Sequence, residues 1–297
     1  MITIIWVALL LLGIGYIVLL ARDIIRHKNV LEKINIYTTA TIGFVVNFFD
    51  VLGIGAFAPQ TALLKFTKQT DDSVLPGTLN VTNTIPVVIQ ALIFIQIIEV
   101  DVVTLVLMLA AATMGALMGA GFITTLPVKS IRLIMGFALL VTVVFMFAGK
   151  MKWIQGGGDA IGLSGYKLMI AVAVNFVLGA LMTAGIGLYA PCMALVFALG
   201  MSPQVAFPVM MGSCAFLMPP ASAKFISKGA YNRKATLAMA IPGSIAVLIA
   251  AYFVKSLPLD NLKTVVMIVI LITSAIMFKD AFKKTATNEQ TAPSNQL

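Results

Sequence analysis

Apolar segments of about 20 residues recur along the chain and are separated by short polar stretches. The first runs from Ile2 to Leu20 without a charged residue. About 20 apolar residues in a helix span the hydrocarbon core of a bilayer, and a helix satisfies its own backbone hydrogen bonds there. The pattern therefore predicts an all-α integral membrane protein with many crossings.

The first apolar segment is expected to remain in the protein and not to act as a cleaved signal peptide. No basic residue precedes it, no small-residue cleavage pattern follows it, and a loop with four basic residues (22–33) comes next. Positive charge next to a span favours the cytoplasmic side, so this loop is predicted to lie in the cytoplasm.

Composition strengthens the membrane assignment and excludes other classes. Hydrophobic residues make up 60% of the chain and charged residues 10%, whereas soluble domains carry about 25% charged residues. The net charge of +9 does not indicate a nucleic-acid partner, because the basic residues sit at the ends of apolar segments and form no stripe. The single histidine, His27, and two cysteines within apolar segments predict no metal site, no cofactor and no disulfide framework.

One motif occurs twice and indicates an internal duplication. The sequence GIGAFAP at residues 53–59 returns as GIGLYAP at residues 185–191, with five of seven positions identical. The same register pairs Pro76 with Pro208. Matches in a fixed register over about 100 residues are typical of repeated units. The predicted organisation is an N-terminal helix and basic loop (1–33), a first repeat (34–148), a Gly-rich linker (149–165), a second repeat (166–283) and a polar tail (284–297).

The first apolar segment of each repeat is too long for one simple span and contains the Gly-x-Gly sequence. If these segments cross the bilayer, the repeats are parallel and 14 of the 20 Lys and Arg residues face the cytoplasm. If they re-enter and return, the repeats are inverted and 15 face it. We favour inverted repeats with Gly-broken or re-entrant helices, since these recur together in transporters.

The two Gly-x-Gly breaks are the main candidate substrate site. A break at membrane depth is tolerated only inside protein or beside a water-filled cavity. A short helix restarting at the following proline presents unpaired N–H groups and the positive end of its dipole, which suits an anion. Alternatively, the glycines only permit close helix packing. The candidate residues here are Gly53, Gly55, Pro59 and Gln60 in the first repeat, and Gly185, Gly187, Pro191 and Cys192 in the second.

The next segment of each repeat carries polar residues in an otherwise apolar span. Their amide and hydroxyl groups can donate hydrogen bonds to an oxyanion, or they can bond to neighbouring helices and to their own backbone. The candidates are Asn80, Thr82, Asn83, Ser213 and Cys214. On the third segment, Gly115 and Gly119 form a small-xxx-small pattern that predicts tight helix contact.

Asp50 is the lone acid of an early apolar stretch, three residues before Gly53. Ionisable residues at membrane depth are costly and usually functional, so Asp50 is the candidate for proton coupling. It can instead lie near an interface and be solvated. Its counterpart in the second repeat is Met182, so the duplication does not require a carboxylate.

At these motifs the chain resembles the TauE/SafE family of sulfite exporters, also called the toluene sulfonate uptake permease family. The resemblance rests on GIGAFAP with LPGTLNVTN in the first repeat and on GIGLYAP with Gly212 to Cys214 in the second. It implies a multi-pass protein of the inner (plasma) membrane that moves sulfur-containing anions such as sulfite or sulfoacetate, with the substrate held between the halves.

The sequence thus predicts a secondary transporter of small sulfur-containing anions that works by alternating access, with coupling to protons through Asp50. One alternative is transport of a cation or another small anion through Asp50 and the carbonyls of the broken helices. An enzyme is not expected, because no histidine is available as a base at membrane depth. The direction of flux is left open, and a homodimer is compatible with the sequence.

Overall fold

The computed structural model describes residues 2–151, 153, 158–185, 187–253 and 259–282. This part of the protein contains helices and no β-strand, so the predicted all-α class is confirmed. The predicted tail (284–297) and the middle of the predicted linker lie outside the described residues. The helices are α1 (Ile2–Arg26), α2 (Ile36–Asp50), α3 (Phe57–Phe66), α4 (Leu75–Ile97), α5 (Val102–Ile123), α6 (Val128–Lys150), α7 (Gly165–Met182), α8 (Tyr189–Ala198), α9 (Ala206–Ser227), α10 (Arg233–Phe253) and α11 (Leu259–Phe282), with a 3₁₀ turn at Pro203–Val205.

Seven helices in the described part of the chain are long and apolar enough to cross a membrane: α1, α4, α5, α6, α7, α9 and α10. Large apolar side chains such as Ile4, Leu11 and Met118 are exposed on the outer faces of α1 and α5. An apolar surface of this kind is a liability in water and matches a lipid environment. The chain is therefore a multi-pass α-helical membrane protein.

One non-helical segment divides the first apolar region of each repeat. α2 ends at Asp50 and α3 begins at Phe57, while α7 ends at Met182 and α8 begins at Tyr189. Gly53 has a φ of 81°, a conformation that residues with a Cβ rarely adopt. With ten residues each, α3 and α8 are about 15 Å long, half the thickness of a bilayer core.

Each pair of helices forms a hairpin whose two ends meet. Asn35, just before α2, donates its backbone N–H to the Gln69 side chain, just after α3, at 2.7 Å. In the second repeat, the Lys167 ammonium in the first turn of α7 donates to the carbonyl of Leu199, just after α8, at 3.1 Å. The chain therefore enters and leaves each hairpin at one end of the molecule.

The two hairpins open toward opposite ends of α4. Gln69 lies shortly before the start of α4 and also accepts a hydrogen bond on its carbonyl from Asn232, which precedes α10. Beyond the other end of α4, the Asp101 N–H donates to the carbonyl of Ile161, shortly before α7. α4 thus runs from the open end of one hairpin to the open end of the other.

The helices of the two repeats interlock. α4 and α9 pack against each other, as do α6 and α11. α2 packs along α10 of the other repeat, and the equivalent helix α7 packs along α5. The contact of α3 with α11 likewise has its counterpart in the contact of α8 with α6. Exchanging the two repeats therefore reproduces the same set of helix contacts.

Glycines bring α5 and α7 into close contact. A Cβ atom added to Gly115 would lie 1.9 Å from the carbonyl oxygen of Phe176, and one added to Gly119 would lie 2.5 Å from that of Ala180. The tight contact predicted from the small-xxx-small pattern is confirmed, and its partner is a helix of the same chain.

Polar residues fix the ends of several spans. Asp101 caps α5 by accepting the Thr104 N–H at 2.8 Å, and this hydrogen bond holds the pKa of the Asp101 carboxyl below its ordinary value. At the opposite end of the molecule, where α1 ends and α10 begins, Arg233 pairs with Asp23 at 2.7 Å. The Tyr231 hydroxyl donates to the same carboxylate at 2.6 Å. Burial raises the pKa of this tyrosine. These contacts attach the end of α1 to the start of α10.

The close contact of α5 with α7 makes a stability prediction. Gly115→Ala places a methyl group 1.9 Å from a backbone oxygen, so the helices must separate, at an expected cost of about 1–3 kcal/mol. Thermal unfolding of the detergent-solubilised protein should show a Tm several degrees below that of the parent. Gly15→Ala in α1 is the control, because nothing lies within 4 Å of its Cβ position. Equal Tm values for the two variants would contradict the close contact.

Candidate functional site

The two non-helical segments meet in space. Gly55 from the first and Gly187 from the second line one small cavity. Its volume of about 10 Å³ is space for about one water molecule. The other lining residues are Ile54, Ala58, Thr142, Tyr189 and Ala190. We call this space the central cavity. It joins equivalent positions of the two repeats and brings α3, α6 and α8 together.

Both short helices begin at the central cavity. Ala58 and Ala190, each the second residue of its helix, line it. Pro59 and Pro191 are the third residues, so the helices start two residues earlier than the expected restart at the prolines. Proline fits there because the first-turn N–H groups have no partner within the helix. The remaining N–H groups and the positive dipole ends lie where an anion can be stabilised.

Two of the predicted polar residues form a buried amide pair between α3 and α4. The Asn83 side-chain amide donates to Gln60 Oε1 at 2.5 Å and to its own helix at the carbonyl of Leu79, at 2.8 Å. Both side chains are fully buried, yet Gln60 Nε2 and Asn83 Oδ1 have no hydrogen-bond partner. A buried polar group normally has a partner, so this pair offers a free donor and a free acceptor close to the first turn of α3.

The other predicted hydroxyl and amide groups are hydrogen-bonded within helix contacts. The Asn80 amide donates to the carbonyl of Pro76 at 2.8 Å, while Asn80 Oδ1 has no partner. The Thr82 hydroxyl donates to Thr236 on α10 at 3.3 Å. The Ser213 hydroxyl accepts from Asn175 on α7 at 3.0 Å. Thr82 and Ser213 thus connect α4 and α9 to neighbouring helices, whereas Asn80 bonds within α4.

The remaining predicted residues are glycines and thiols. Gly53 packs near Met193 and Met210, and Gly185 packs near Met135. Cys192 and Cys214 are free and fully buried, and the Cys214 thiol lies 3.5 Å from the sulfur of Met182. Among the described residues, no group of three His, Cys, Asp or Glu side chains is placed to hold a metal ion.

A chain of hydrogen bonds connects the central cavity with Asp50. The Tyr189 hydroxyl donates to Gln90 Oε1 at 2.9 Å, and the Gln90 amide donates to Asp50 Oδ2 at 2.7 Å. The backbone N–H of Ala56 also lies near this carboxylate. Asp50 is only 2% exposed, so it lies inside the protein and not at a solvated interface.

Sequence reasoning missed Gln90 and Tyr189. Neither residue belongs to a recognisable motif. A comparison of the two repeats could have found them, because all three residues of this hydrogen-bond chain lie at positions where the repeats differ. In the register of the repeated motif, the pairs are Asp50 with Met182, Gln90 with Ser222, and Phe57 with Tyr189. The duplicated scaffold therefore does not account for this chain of hydrogen bonds.

Comparison with known proteins gives one match. The family model described as Sulfite exporter TauE/SafE matches residues 167–297, which begin in the first turn of α7 and include α8 with its GIGLYAP motif. No curated protein and no solved structure matches the chain significantly. The resemblance of the sequence motifs to the sulfite exporter TauE/SafE family is thus confirmed for residues 167–297, the second repeat.

Proposed function

We propose that the protein is a secondary transporter of small sulfur-containing anions such as sulfite and organosulfonates. The observation that carries this proposal is the convergence of two helix N-termini, with Ala58 of α3 and Ala190 of α8, on one small cavity. The match of the second repeat to a family of sulfite exporters supports the same class of solute.

In this proposal the repeats are inverted and each hairpin re-enters the membrane. The joined hairpin ends, Asn35 with Gln69 and Lys167 with Leu199, support this arrangement. The end of the molecule that carries the loops α1–α2, α3–α4, α5–α6 and α9–α10 is then the cytoplasmic one. With the tail, it holds 15 of the 20 Lys and Arg residues, in accord with the positive-inside rule. We call this end the basic face.

The central cavity favours an anion over a cation. The first turns of α3 and α8, with the positive ends of their dipoles, lie at it. Gln60 does not line the cavity, but its unpartnered Nε2 in the first turn of α3 is, in our proposal, a further donor when the cavity opens. A cation would need carboxylate or carbonyl oxygen. Asp50, the buried carboxylate nearby, already accepts a hydrogen bond from Gln90 and lies near the Ala56 N–H. Neutral donors bind an oxyanion and release it again, because no fixed positive charge retains it.

The small size of the cavity corresponds to a closed state of an alternating-access cycle. Each hairpin packs against helices of the other repeat, α3 on α11 and α8 on α6. A rocking of one repeat against the other would then open the cavity to one side at a time.

Asp50 couples protons to this cycle in our proposal. It lies near the Ala56 N–H, which immediately precedes α3, so a charged Asp50 and a bound anion compete for the same positive helix end. Like charges at membrane depth repel strongly. Anion binding therefore favours protonated Asp50, and one proton would travel in the direction of the anion.

The Gln60 amide can be tested by substitution. Gln60→Met keeps the side-chain length and removes the donor. A hydrogen bond to a charged group contributes about 1.5–3 kcal/mol, so the KM for sulfite uptake into proteoliposomes should rise roughly 10- to 100-fold.

Thr61→Val is the matched control. Thr61 is the neighbouring buried residue of α3, but its hydroxyl donates to its own helix at Phe57. Its KM should stay within about twofold of the parent, since such local bonds contribute little. Equal effects of the two substitutions would argue against a role of Gln60 in binding.

The coupling role of Asp50 predicts a pH dependence. With an acidic external buffer, uptake of methanesulfonate, a solute that does not titrate near neutrality, should accelerate in the parent. Protonation of Asp50 removes the competing charge, so lower pH favours anion binding. Asp50→Asn is permanently neutral, and its uptake should be independent of pH and of a proton gradient.

Asp101→Asn provides the control, because Asp101 is a helix cap that asparagine can replace. Its pH profile should match that of the parent. Retention of the parental pH profile and gradient response in Asp50→Asn would exclude Asp50 as the coupling group.

The function itself is tested by uptake of labelled sulfite, sulfoacetate and taurine into proteoliposomes, with and without a pH gradient. We expect saturable uptake of sulfite or a sulfonate. Other anions, supplied as their potassium or sodium salts, should not show this uptake. Uptake of a metal cation without any sulfur-containing anion would favour the alternative of a cation transporter.

A further inference from the structure

A second polar cavity lies at the far end of α3, on the basic face. It has a volume of about 610 Å³, ample for a small oxyanion. The residues that matter here are Lys65, Lys68, Thr70, Asp72, Arg132 and Asp280. We call this space the vestibule. It is separate from the central cavity, since α3 has the central cavity at its first turn and the vestibule at its last.

Two cations from different helices share two carboxylates in the vestibule. Lys65 Nζ, on α3, lies 2.6 Å from Asp72 Oδ2 and 2.8 Å from Asp280 Oδ2. Arg132 Nε, on α6, lies 2.7 Å from Asp72 Oδ2, and its Nη1 donates to the backbone carbonyl of Asp280 at 3.1 Å. The cluster therefore connects α3, the α3–α4 loop, α6 and α11.

The two carboxylates are not equivalent. The Asp72 side chain is 9% exposed and pairs with both cations. The Asp280 side chain is 33% exposed and its carboxylate pairs with Lys65. If a competing anion arrives, Asp280 is the partner that water can solvate on release. Asp72, shielded from water, stays in place.

An oxyanion has the chemistry to replace Asp280 on Lys65. Sulfite and sulfonate groups, like carboxylates, present several oxygens to an ammonium or guanidinium group. Lys65 is only 11% exposed, and the exchange leaves its positive charge paired. Thr70, whose hydroxyl is buried without a hydrogen-bond partner, supplies a further donor within the same cavity.

The cluster is not a product of the internal duplication. In the register of the repeated motif, the positions equivalent to Lys65 and Asp72 are Phe197 and Gln204. With the register shifted by a single position, as in the last part of each repeat, the equivalent of Asp280 is Gly149. The second repeat thus lacks equivalents of Lys65, Asp72 and Asp280, although Arg132 corresponds to Lys263 in the shifted register.

We propose that the vestibule is a second anion site, where a small oxyanion from the basic face displaces Asp280 from Lys65 and thereby releases the end of α3 from α11, while the pair of Lys65 with Asp72 remains. The chemical class of this ligand, a sulfite or sulfonate group, rests on the proposed function. Because α3 is a single helix of ten residues, release at Lys65 loosens the same element whose first turn lines the central cavity.

The test compares anion uptake from the two faces in sealed vesicles of opposite orientation. Lys65→Gln removes the cation that Asp280 and the oxyanion compete for, and the KM for sulfite presented at the basic face should rise at least tenfold. The KM from the opposite face should change less than twofold. Asp280→Asn removes the competing carboxylate and should lower the KM at the basic face. Lys65→Arg should retain the parental values.

Lys228→Gln is the control for net charge, because Lys228 is exposed on the basic face and does not line the vestibule. Its KM should equal that of the parent from both faces. The proposal is overturned if Lys65→Gln changes both faces equally, if Asp280→Asn raises the KM, or if Lys65→Gln lowers only the Tm.

A binding measurement separates this proposal from the proposed function. In detergent, sulfite should raise the Tm of Gln60→Met, in which the central donor is removed, and this rise should vanish when Lys65→Gln is added. Loss of the rise in Gln60→Met alone would overturn the vestibule site and leave the transporter proposal intact. A rise that depends on Lys65 in a protein without sulfite or sulfonate uptake would overturn the transporter proposal instead.

Discussion

The structure depends on one constraint: backbone N–H and carbonyl groups that leave a helix inside a bilayer must find partners within the protein. The segments that follow α2 and α7 are not helical, so their backbone groups cannot all pair within a helix. They are tolerated because each hairpin packs against helices of the other repeat. α2 lies along α10, and α7 lies along α5. Glycines allow these helices to approach closely. A Cβ atom on Gly43 would lie 2.5 Å from the backbone of Met239, and one on Gly179 would lie 2.1 Å from that of Ala112.

A nearly symmetric scaffold therefore carries asymmetric chemistry. The helix contacts repeat when the halves are exchanged, and so do the two helix starts at the central cavity. The hydrogen bonds from Tyr189 through Gln90 to Asp50, and the pairing of Lys65 with its two carboxylates, have no counterpart under this exchange. Symmetry suits the two faces of an alternating-access protein, whereas a direction, a coupling ion and a preferred side of loading need differences between the halves. The residues that break the symmetry are thus the natural places to look for function.

The sequence predicted the helical class and the pairing of the two motifs, because apolar length and a repeated motif are local signals. It placed Gln60 and Asn83 among the candidates, and they contact each other. It could not decide whether the hairpins return, since the two topologies differ by a single Lys or Arg. Contacts between residues distant in sequence, such as Asn35 with Gln69, support the proposed return. Gln90 and Tyr189 were missed because their meaning comes from partners on other helices. The start of α3 was placed at Pro59, although proline fits any position in a first turn.

The central claim is that α3 and α8 hold an anion between their first turns. A structure of the protein with a bromine-labelled sulfonate, located by its anomalous signal, tests this most directly. We predict a peak between Gly55 and Gly187, with sulfonate oxygens within hydrogen-bonding distance of backbone N–H groups of both helices. A ligand bound elsewhere at saturating concentration, with the central cavity still closed and empty, would contradict the account.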